Sequence, residues 1–560
     1  MILALIFVTV TLIILAGALG WATTSTRLTG RNVEYFRTEA AAEAATEKVL
    51  AAIATDYHEQ GDWYVQANLD RYKQMIPTNV ENAAWGNYEF SDGQGHGSRT
   101  YVQFFPPGND YKILTSQFKG LSGWASSYRV ISNARQLDGP FNITGALLQE
   151  VDVATIPLFQ FAIFYNLELE ICPAPNMTVT GPVYCNTNIY LSPGQTLTFQ
   201  SDVKSAGYIN LRKKLEDPSV RTGGTIVFNA EHDDRQSPLT LPIGTNNTPA
   251  AVRQIIEVPP VSESVSSAMG KERFYNKADV IIAVNAAGAV VATSGTYNNF
   301  MTLIPTNEAK LFVNSISNSF TDQRAGKVMK VTQLDISQLR EWNRTNMVIN
   351  LTNSMVGGTN FHSIRIVYVV DQRTNSVVRL VNGDTLLPQG LTIASQNPVY
   401  IKGHYNSPAP TRGTSDTTAT LPAAVVADAI SILSAGWNDA NSALTIDKRT
   451  AIATTVNAAF LAGIVPTTTA HYSGGVENFP RFLENWSGQA FTYNGSMVVM
   501  FESKVATAPW PGTGVVYNPP IRNWAFDQNF HDVNKLPPGT PCARAMSRGR
   551  WAMIKPGATN

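Results

Sequence analysis

The sequence predicts an α+β protein that is mostly β: a long N-terminal helix, then a large β-rich body with coils like those of a parallel β-helix. Helix formers continue without proline up to Pro77, which predicts the helix. From about residue 58, short β-branched and aromatic runs alternate with Gly, Pro and Asn, which predicts strands and turns. Charged residues are only 15% of the 560 residues, as in β-rich extracellular proteins.

The first residues form an uncharged apolar run. No charge precedes Arg27, and residues 1–22 are long enough to cross a bilayer as a helix. A secretory signal carries a basic segment before its apolar core, and nothing basic precedes this run. The segment therefore predicts a retained membrane or filament helix, with an ordinary signal anchor as the alternative.

The helix is predicted to continue well beyond the apolar run. Ala, Glu and Lys dominate up to residue 57, so one helix of roughly 55 residues, about 80 Å long, is expected. Two of its faces differ in character. One face carries Glu39, Glu43 and Glu47, and the other carries Val49, Ile53 and Tyr57, which we expect to dock onto the body.

The arginines after the apolar run raise a question of orientation. Arg27, Arg31 and Arg37 favour a cytoplasmic location for that end of the segment, which would leave the body on the wrong side. A basic leader ahead of Met1, removed after insertion, would reconcile the charges with an external body. We therefore expect the chain to be a mature form.

The segment ALIFVTVTLIILAGALGWATTSTRLTGRNVEYFRTEAAAEAA resembles the N-terminal region of PilX-type pilus assembly proteins, in the type IV pilin class. The resemblance implies a subunit that lies in the inner membrane before assembly and then in a cell-surface filament. Its partners would be other pilin subunits, or copies of itself, through the helix. The residues expected to form this membrane or filament surface are Leu3, Leu5, Ile6, Phe7, Val10, Leu12, Ile14, Leu15, Gly17 and Gly20.

Two features of the helix refine that expectation. Gly17 and Gly20 lie where, by resemblance, pilin helices loosen in a filament; the alternative is close helix packing through Ala16 and Gly20. Many major pilins carry a glutamate near the mature amino terminus, where this chain has Leu5 and no acid before Glu34. That departure is more typical of minor, tip-located pilins, although a filament-forming subunit stays open.

The strongest evidence for β-helix coils lies in residues 177–211, where short apolar strands alternate with Gly and Asn. Asn186, Asn188 and Gly207 are expected at corners, where asparagines form side-chain ladders. The side chains expected to point inward are Val183, Ile189, Leu191, Leu197, Phe199, Val203 and Ile209.

The chain is expected to divide into five regions. They are the helix 1–57, with 1–26 as its membrane or filament part, the β-rich region 58–156, the β-helix-like region 157–270, an inserted α/β subdomain 271–390, and a C-terminal β-rich region 391–560. Within them we predict a hairpin at 280–295 and a helix at 335–344. The Ala-rich stretch 421–465 suits helix or strand, and the alternation of Ile430 and Ile432 favours strand.

Parts of the C-terminal body also carry a resemblance. The segments GLTIASQNPVYIKGHYN, SGGVENFPRFLENWSG, PPIRNWAFD and LPPGTP look like the bodies of large pilin-like proteins, including cyanobacterial ones linked to hormogonium polysaccharide. These segments carry no chemistry that residue types alone would assign.

Catalytic and metal-binding motifs are sparse. The sequence has no nucleophile elbow, Walker phosphate loop, HExxH, EF-hand loop or dinucleotide GxGxxG, so we expect no enzyme and no cofactor. Glu231, Asp233 and Asp234, beside His232, are weak candidates for calcium ligands; the alternative is a solvated loop. Residues 477–486 suggest either a sugar site or a packed turn in which Arg481 bridges two acids.

Cysteines and charge complete the picture. Cys172 and Cys185 would form a disulfide in an oxidising compartment or remain two buried thiols. Lys plus Arg and Asp plus Glu number 42 each, so no net field favours nucleic acid.

Three functions stay open: a structural pilin with an adhesive body, a membrane-tethered glycan-binding adhesin, and a polysaccharide-active β-helix enzyme. A groove that gathers two acids with raised pKa would favour the enzyme.

Overall fold

The computed structural model describes residues 1–221, 223–294, 302–315, 318–353 and 364–559. The chain forms two compact units, Met1–Thr155 with Arg544–Asn560, and Ile156–Ala543. Strand accounts for 35% of residues and helix for 25%, so the prediction of a long N-terminal helix with a larger β-rich body is confirmed. The predicted five regions do not appear as separate compact units, since 271–390 shares sheets with 391–543 and the last residues return to the first unit.

The helices are α1 Ile2–Gln60, α2 Asp62–Ala67, α3 Leu69–Lys73, α4 Pro249–Arg253, α5 Ala268–Glu272, α6 Phe274–Lys277, α7 Thr306–Phe312 and α8 Ile336–Asn353. The strands up to the end of the first series are β1 Tyr88–Ser91, β2 Tyr101–Ile113, β3 Ser122–Gln136, β4 Thr144–Pro157, β5 Ile163–Tyr165, β6 Leu169–Ile171, β7 Met177–Val179, β8 Val183–Cys185, β9 Ile189–Leu191, β10 Thr196–Phe199, β11 Val203–Ser205, β12 Ile209–Asn210, β13 Thr225–Phe228 and β14 His232–Asp233.

The remaining strands are β15 Val280–Val284, β16 Val290–Ser294, β17 Thr302–Ile304, β18 Val313–Asn314, β19 Ser319–Asp322, β20 Lys327–Asp335, β21 Ile366–Asp371, β22 Ser376–Val381, β23 Leu391–Ser395, β24 Val399–Lys402, β25 Ala423–Ala427, β26 Ile430–Leu433, β27 Thr454–Asn457, β28 Ala459–Ile464, β29 Arg481–Phe482, β30 Ala490–Gly495, β31 Met497–Glu502, β32 Ile521–Phe526 and β33 Cys542–Met553.

The first unit is built on α1, a single helix of 59 residues, as predicted. The helix ends at Gly61, whose φ of +90° suits glycine, and the Gly61 N–H donates to the Tyr57 carbonyl at 3.0 Å. The C-terminal half of α1 packs on an antiparallel sheet formed by β1, β2, β3 and β4, and β33 lies beside β4. The predicted docking face is confirmed: Val49, Ile53 and Tyr57 are buried in the core of this unit.

In the second unit, strands three apart in the chain pair in parallel. β5, β8, β11 and β14 form one series, β6, β9 and β12 a second, and β7, β10 and β13 a third. Ile163, Val183 and Val203 occupy equivalent positions, 20 residues apart. The predicted inward side chains are buried, except Ile209, which is half-buried because β12 lies at the edge of its sheet.

The longest sheet has twelve strands, in the order β14-β11-β8-β5-β31-β28-β25-β23-β21-β15-β16-β17. The pairings from β14 to β15 are parallel. The chain therefore enters this sheet in its middle at β5, proceeds outward to β14, resumes at the other end with β15, and returns to the middle at β31. The Ala-rich stretch forms β25, β26, β27 and β28, as the strand prediction required.

Asparagine contacts connect successive strands at the corners. The Asn186 amide donates to Asn166 Oδ1 at 2.9 Å, and the Asn494 amide donates to Asn457 Oδ1 at 2.8 Å. Asn188 Oδ1 accepts the backbone N–H of Tyr208 at 3.0 Å. These bonds satisfy polar groups that the turns would otherwise leave unpaired. A contact between asparagine side chains of successive strands, as predicted for a ladder, occurs at Asn186, whereas Asn188 Oδ1 bonds to the backbone.

The two local predictions between residues 280 and 353 are confirmed where the structure describes them. β15 and β16 form an antiparallel hairpin, and residue 295 of the predicted hairpin lies outside the described residues. The helix predicted at 335–344 is α8, which extends further to Asn353. Asp335 Oδ1 accepts the backbone N–H of Gln338 at 3.0 Å, as an N-cap does.

Candidate functional site

The N-terminal half of α1 presents an exposed, largely apolar surface. Residues 1–29 are all exposed, including Leu5 at 71% and Phe7 at 76%. Among the described residues, α1 is the one helix long and apolar enough to cross a membrane. Water contact along such a segment costs free energy in proportion to its apolar area, at about 25 cal/mol per Å².

The residues predicted to form the membrane or filament surface all lie on this exposed half. They are Leu3, Leu5, Ile6, Phe7, Val10, Leu12, Ile14, Leu15, Gly17 and Gly20. Apart from the adjacent residues and the nearby backbone of the helix itself, no described atom lies within 4 Å of a Cβ built on Gly17 or Gly20. The space beside these glycines is therefore open to a closely packed second helix.

Hydroxyl groups on this half of the helix are satisfied by the helix itself. Thr9 Oγ1 donates to the Leu5 carbonyl at 2.8 Å, and Thr11 Oγ1 donates to the Phe7 carbonyl at 2.7 Å. Thr24 and Thr26 donate in the same way, four residues back. A helix whose side-chain donors are already bonded enters an apolar environment without breaking bonds to water.

The change from exposed to packed helix occurs at Glu34. This first acid of the chain is 3% exposed, and its carboxylate accepts the backbone N–H groups of Phe141 and Ile143, both at 3.0 Å. The β3–β4 connection is thereby attached to the helix.

The three glutamates predicted on one helical face have different surroundings. Glu39 is buried, Glu43 is exposed, and Glu47 forms an ion pair with Arg548 of β33. Glu43 is thus the exposed member of the three, and the partly exposed Glu47 is already paired.

Residues 477–486 do not form the arrangement predicted for them. They contain a short 3₁₀ turn and strand β29. Arg481 bridges no acids: its guanidinium donates to the Ala506 carbonyl at 2.9 Å and to Ser503 Oγ at 3.3 Å. Glu484 is held instead by Ser434, whose backbone N–H donates to Oε2 at 2.6 Å and whose hydroxyl donates to Oε1 at 2.7 Å. The strand turns the two acids away from the arginine.

Buried acids with raised pKa nevertheless lie in this part of the second unit. Burial raises the pKa of Glu477 to about 7, and the acid accepts from the Tyr472 hydroxyl at 3.3 Å and the Cys172 backbone N–H at 3.3 Å. Burial also raises the pKa of Glu170, whose Oε1 accepts from the hydroxyls of Thr467 and Ser473. These protonatable carboxyls are the feature expected of the enzyme hypothesis.

The space beside these acids is small. Glu168 and Glu170 line a cavity of about 20 Å³ together with Arg324 and Arg481. This volume accommodates a group of the size of a water molecule or slightly more. The cavity is thus far smaller than the small-ligand sites of proteins.

A larger cleft lies between β7 and β32, each an end strand of its own three-stranded sheet. Its volume is about 650 Å³, within the range of small-ligand sites. Its lining is rich in hydroxyl and amide groups and includes Asn176, Thr492 and Asn523. Trp524 also lines the cleft, with the guanidinium of Arg522 over its ring at 5.5 Å from the centroid. Sequence patterns did not indicate this cleft, because its residues come from four separate parts of the chain.

The acidic segment proposed for calcium is exposed. Glu231, His232 and Asp233 are solvent-accessible, and Asp234 pairs with Arg235 at 3.1 Å. The His232 ring stacks on Phe228 at 4.2 Å between centroids. No three His, Cys, Asp or Glu side chains are grouped as metal ligands in the described part of the chain.

The disulfide alternative is corrected by the structure, which has Cys172 and Cys185 as buried free thiols. Cys185 lies on β8, whereas Cys172 follows β6 in another sheet, so the fold separates them by sheet. The Cys185 thiol donates to the Leu167 carbonyl at 3.2 Å. Burial raises the pKa of Cys172 to about 12 and that of Cys185 to about 11.

No protein-family model, curated protein or solved structure matches the chain. Function is therefore argued from the geometry of the molecule.

Proposed function

We propose that this chain is a structural subunit of a type IV pilus-like extracellular filament, with a body that serves adhesion or interaction at the surface. The observation that carries the proposal is the exposed apolar half of α1, continuous with a half that packs on its own antiparallel sheet. A membrane covers such a segment before assembly, and the helices of other pilin subunits, or of copies of this chain, cover it afterwards. The location would be the inner membrane first and the cell surface later.

Within this proposal, a minor or tip role is favoured over a major one. Leu5 stands where many major pilins have an acid, and the first acid, Glu34, is already bonded to the backbone of the β3–β4 connection. It is therefore not available to pair with a neighbouring subunit's ammonium group.

We further propose that the second unit is a parallel β-helix. Three series of parallel strands, repeated equivalents 20 residues apart, and asparagine contacts at corners support this assignment. Such a body presents long lateral surfaces, which suits decoration of a filament. We propose no catalytic role, because the cavity beside Glu170 is far smaller than the small-ligand sites of proteins.

One observation favours a second candidate, a membrane-tethered glycan-binding adhesin. The cleft between β7 and β32 combines Trp524 with the amides of Asn176 and Asn523, and its volume of about 650 Å³ accommodates a short oligosaccharide. In this alternative α1 anchors a single copy and does not polymerise.

Electron microscopy distinguishes the two candidates. The full chain is purified in an uncharged detergent, the detergent is removed with and without other pilin subunits, and the particles are imaged. The pilin proposal expects filaments containing the full chain, and a variant lacking residues 1–26 should give monodisperse particles with unchanged circular dichroism.

Filaments formed by the truncated variant would contradict the proposal. So would a full chain that enters lipid vesicles as single copies and never joins a filament, which is the result expected of a tethered adhesin. Mass spectrometry of the native protein provides a further check, because loss of residues 1–26 in cells would remove the surface on which assembly depends.

A further inference from the structure

Two arginines of the second unit lie at one cavity without a carboxylate partner. Arg324 is in the turn between β19 and β20, and Arg481 begins β29; both line the cavity that contains Glu168 and Glu170. In the described part of the chain, no Asp or Glu oxygen lies within 4.0 Å of either guanidinium. Arg481 is buried and Arg324 is half-buried, and a buried cation without a counter-ion is costly.

The positions of both guanidinium groups are set by the chain around them. The backbone N–H groups of Arg324 and Ala325 donate to Asp322 Oδ1 at 2.7 and 2.9 Å, which defines the turn. Arg324 Nε donates to the carbonyls of Ala508 and Pro509 at 3.2 and 3.1 Å.

Arg481 is 8% exposed and is held by Ser503 and Ala506. One segment, residues 503–509, thus orients both arginines.

Hydrogen-bond donors remain available for a ligand. Arg324 Nη1 and Nη2 have no partner among the described residues, and neither does Arg481 Nε. Burial, followed by the like charge of Arg481, lowers the pKa of Arg324, and burial lowers that of Arg481. Asp322 raises both pKa values and Asp428 raises that of Arg481, but burial outweighs them, and neither carboxylate lies within 4.0 Å of a guanidinium to supply a paired negative charge.

The acids of the same cavity do not supply that charge. Glu168 is paired with Lys214 at 2.6 Å. Burial raises the pKa of Glu170, and its Oε2 is enclosed without a partner in the described chain. The cavity therefore presents guanidinium donors beside one paired and one buried carboxyl group.

We propose that this cavity binds a small oxyanion, a carboxylate or sulfate group, between Arg324 and Arg481. Guanidinium groups recognise such anions through two N–H donors at once. The volume of about 20 Å³ admits one or two oxygen atoms of such a group and leaves the rest of the group and its carrier outside. The half-buried Trp510 and the buried Tyr517 line an adjoining cavity of about 10 Å³ with both arginines. The inference is independent of filament formation.

The test uses the full chain in uncharged detergent micelles at constant ionic strength, with sodium sulfate and trigalacturonate as probes. Isothermal titration calorimetry should show saturable binding at one site. Arg324→Gln should weaken binding about tenfold or more, because two charge-assisted bonds are lost. Arg324→Lys keeps the charge but lacks the paired donors, so its affinity should lie between those of the unmodified chain and Arg324→Gln. Arg344→Gln, at an exposed arginine of α8, is the matched control and should bind like the unmodified chain.

Thermal unfolding separates binding from a structural role. Each probe that binds should raise the melting temperature of the unmodified chain. The same probe should raise the melting temperature of Arg324→Gln much less. Without a probe, Arg324→Gln should be at least as stable, since removal of one charge relieves its repulsion with Arg481. Tighter binding of trigalacturonate than of sulfate would identify the ligand as a carboxylate carried by a sugar. Tighter binding of sulfate would identify it as a free inorganic anion. Absence of saturable binding for both probes, or unchanged binding in both Arg324 variants, would overturn the proposal.

Discussion

Glu34 Oε2 accepts the backbone N–H of Phe141 at 3.0 Å, at the point where α1 passes from its exposed half to its packed half. Because Oε1 accepts the Ile143 N–H as well, we expect Glu34→Ala to lower the free energy of unfolding of the first unit by about 1.5–3 kcal/mol. Denaturant unfolding monitored by circular dichroism measures this loss. Glu43→Ala, at an exposed position of the same helix, should stay within about 0.5 kcal/mol. Equal effects of the two substitutions would show that the Glu34 bonds contribute nothing.

The residue at position 5 provides a test of the minor-pilin proposal. Leu5 is 71% exposed, so Leu5→Glu should leave the unfolding free energy of the body within about 0.5 kcal/mol of the unmodified chain. If the missing acid restricts the chain to a tip, the glutamate should allow incorporation along the filament, visible by gold labelling in electron micrographs. Leu5→Gln provides the uncharged control. Identical placement of all three proteins would remove the argument based on Leu5.

The buried Glu477 should make stability depend on pH. Its pKa is raised to about 7 in the folded protein from an ordinary value of 4.5, so the folded state holds a proton that the unfolded state has released between these values. Its contribution is therefore full below about pH 4.5 and is lost as the pH rises through about 7.

Glu477→Gln should remove this loss. The difference in unfolding free energy between the variant and the unmodified chain should therefore shift in favour of the variant by on the order of 2 kcal/mol from pH 5 to pH 8. Urea unfolding at pH 5, 6, 7 and 8 measures it, with Glu43→Gln as an exposed control. Parallel pH profiles for the unmodified chain and Glu477→Gln would contradict the assignment, since Glu484, Glu170 and Asp527, which also have raised pKa values, would then account for the whole dependence.

The corner asparagine Asn186 should be costly to remove. Its side chain donates to Asn166 Oδ1 and to the Leu239 carbonyl, and it accepts the Leu239 N–H at 2.9 Å. Asn186→Ala leaves these groups unpaired, so we expect a loss of about 2–3 kcal/mol in thermal or urea unfolding. The exposed Asn246, replaced by Ala, should be nearly neutral. A neutral Asn186→Ala would show that water replaces the ladder without penalty.

The cysteines should all react once the protein unfolds. In denaturant without reductant, a maleimide reagent should label Cys172, Cys185 and Cys542, and mass spectrometry counts the adducts. In the folded protein, labelling of Cys172 and Cys185 should be slow, because burial raises both pKa values and removes the reactive thiolate. A mass with only one adduct before reduction would mean that two of the cysteines are bridged.

Local signals predicted most of the elements of this fold. Apolar spacing in α1 identified Val49, Ile53 and Tyr57 as a docking face, and alternation at Ile430 and Ile432 identified β26 as a strand. These patterns succeed because burial on one side of a helix or strand imposes its own period on the chain.

Long-range relationships were not predictable in the same way. The residues around β5 do not indicate that it pairs with β8 and β31, because parallel pairing requires no distinctive residue in either strand. Arg324 and Arg481 meet at one cavity although more than 150 residues separate them, and the neighbouring acids at 477 and 484 suggested a different partner for Arg481. Charges that are close in the sequence suggest ion pairs with one another. In the structure, Arg481 instead bonds to Ser503 and Ala506, and Glu484 bonds to Ser434.

The strand order of the twelve-stranded sheet also has a mechanical consequence. The polypeptide joins this sheet at β5 and leaves it after β31, two neighbouring central strands, and both outermost described strands, β14 and β17, belong to the interior of the sequence. Tension that enters the sheet through β5 or β31 therefore acts on a central strand, which is paired on both sides, and not on an outer strand. Extraction of such a strand by shear breaks its backbone hydrogen bonds to both neighbours together.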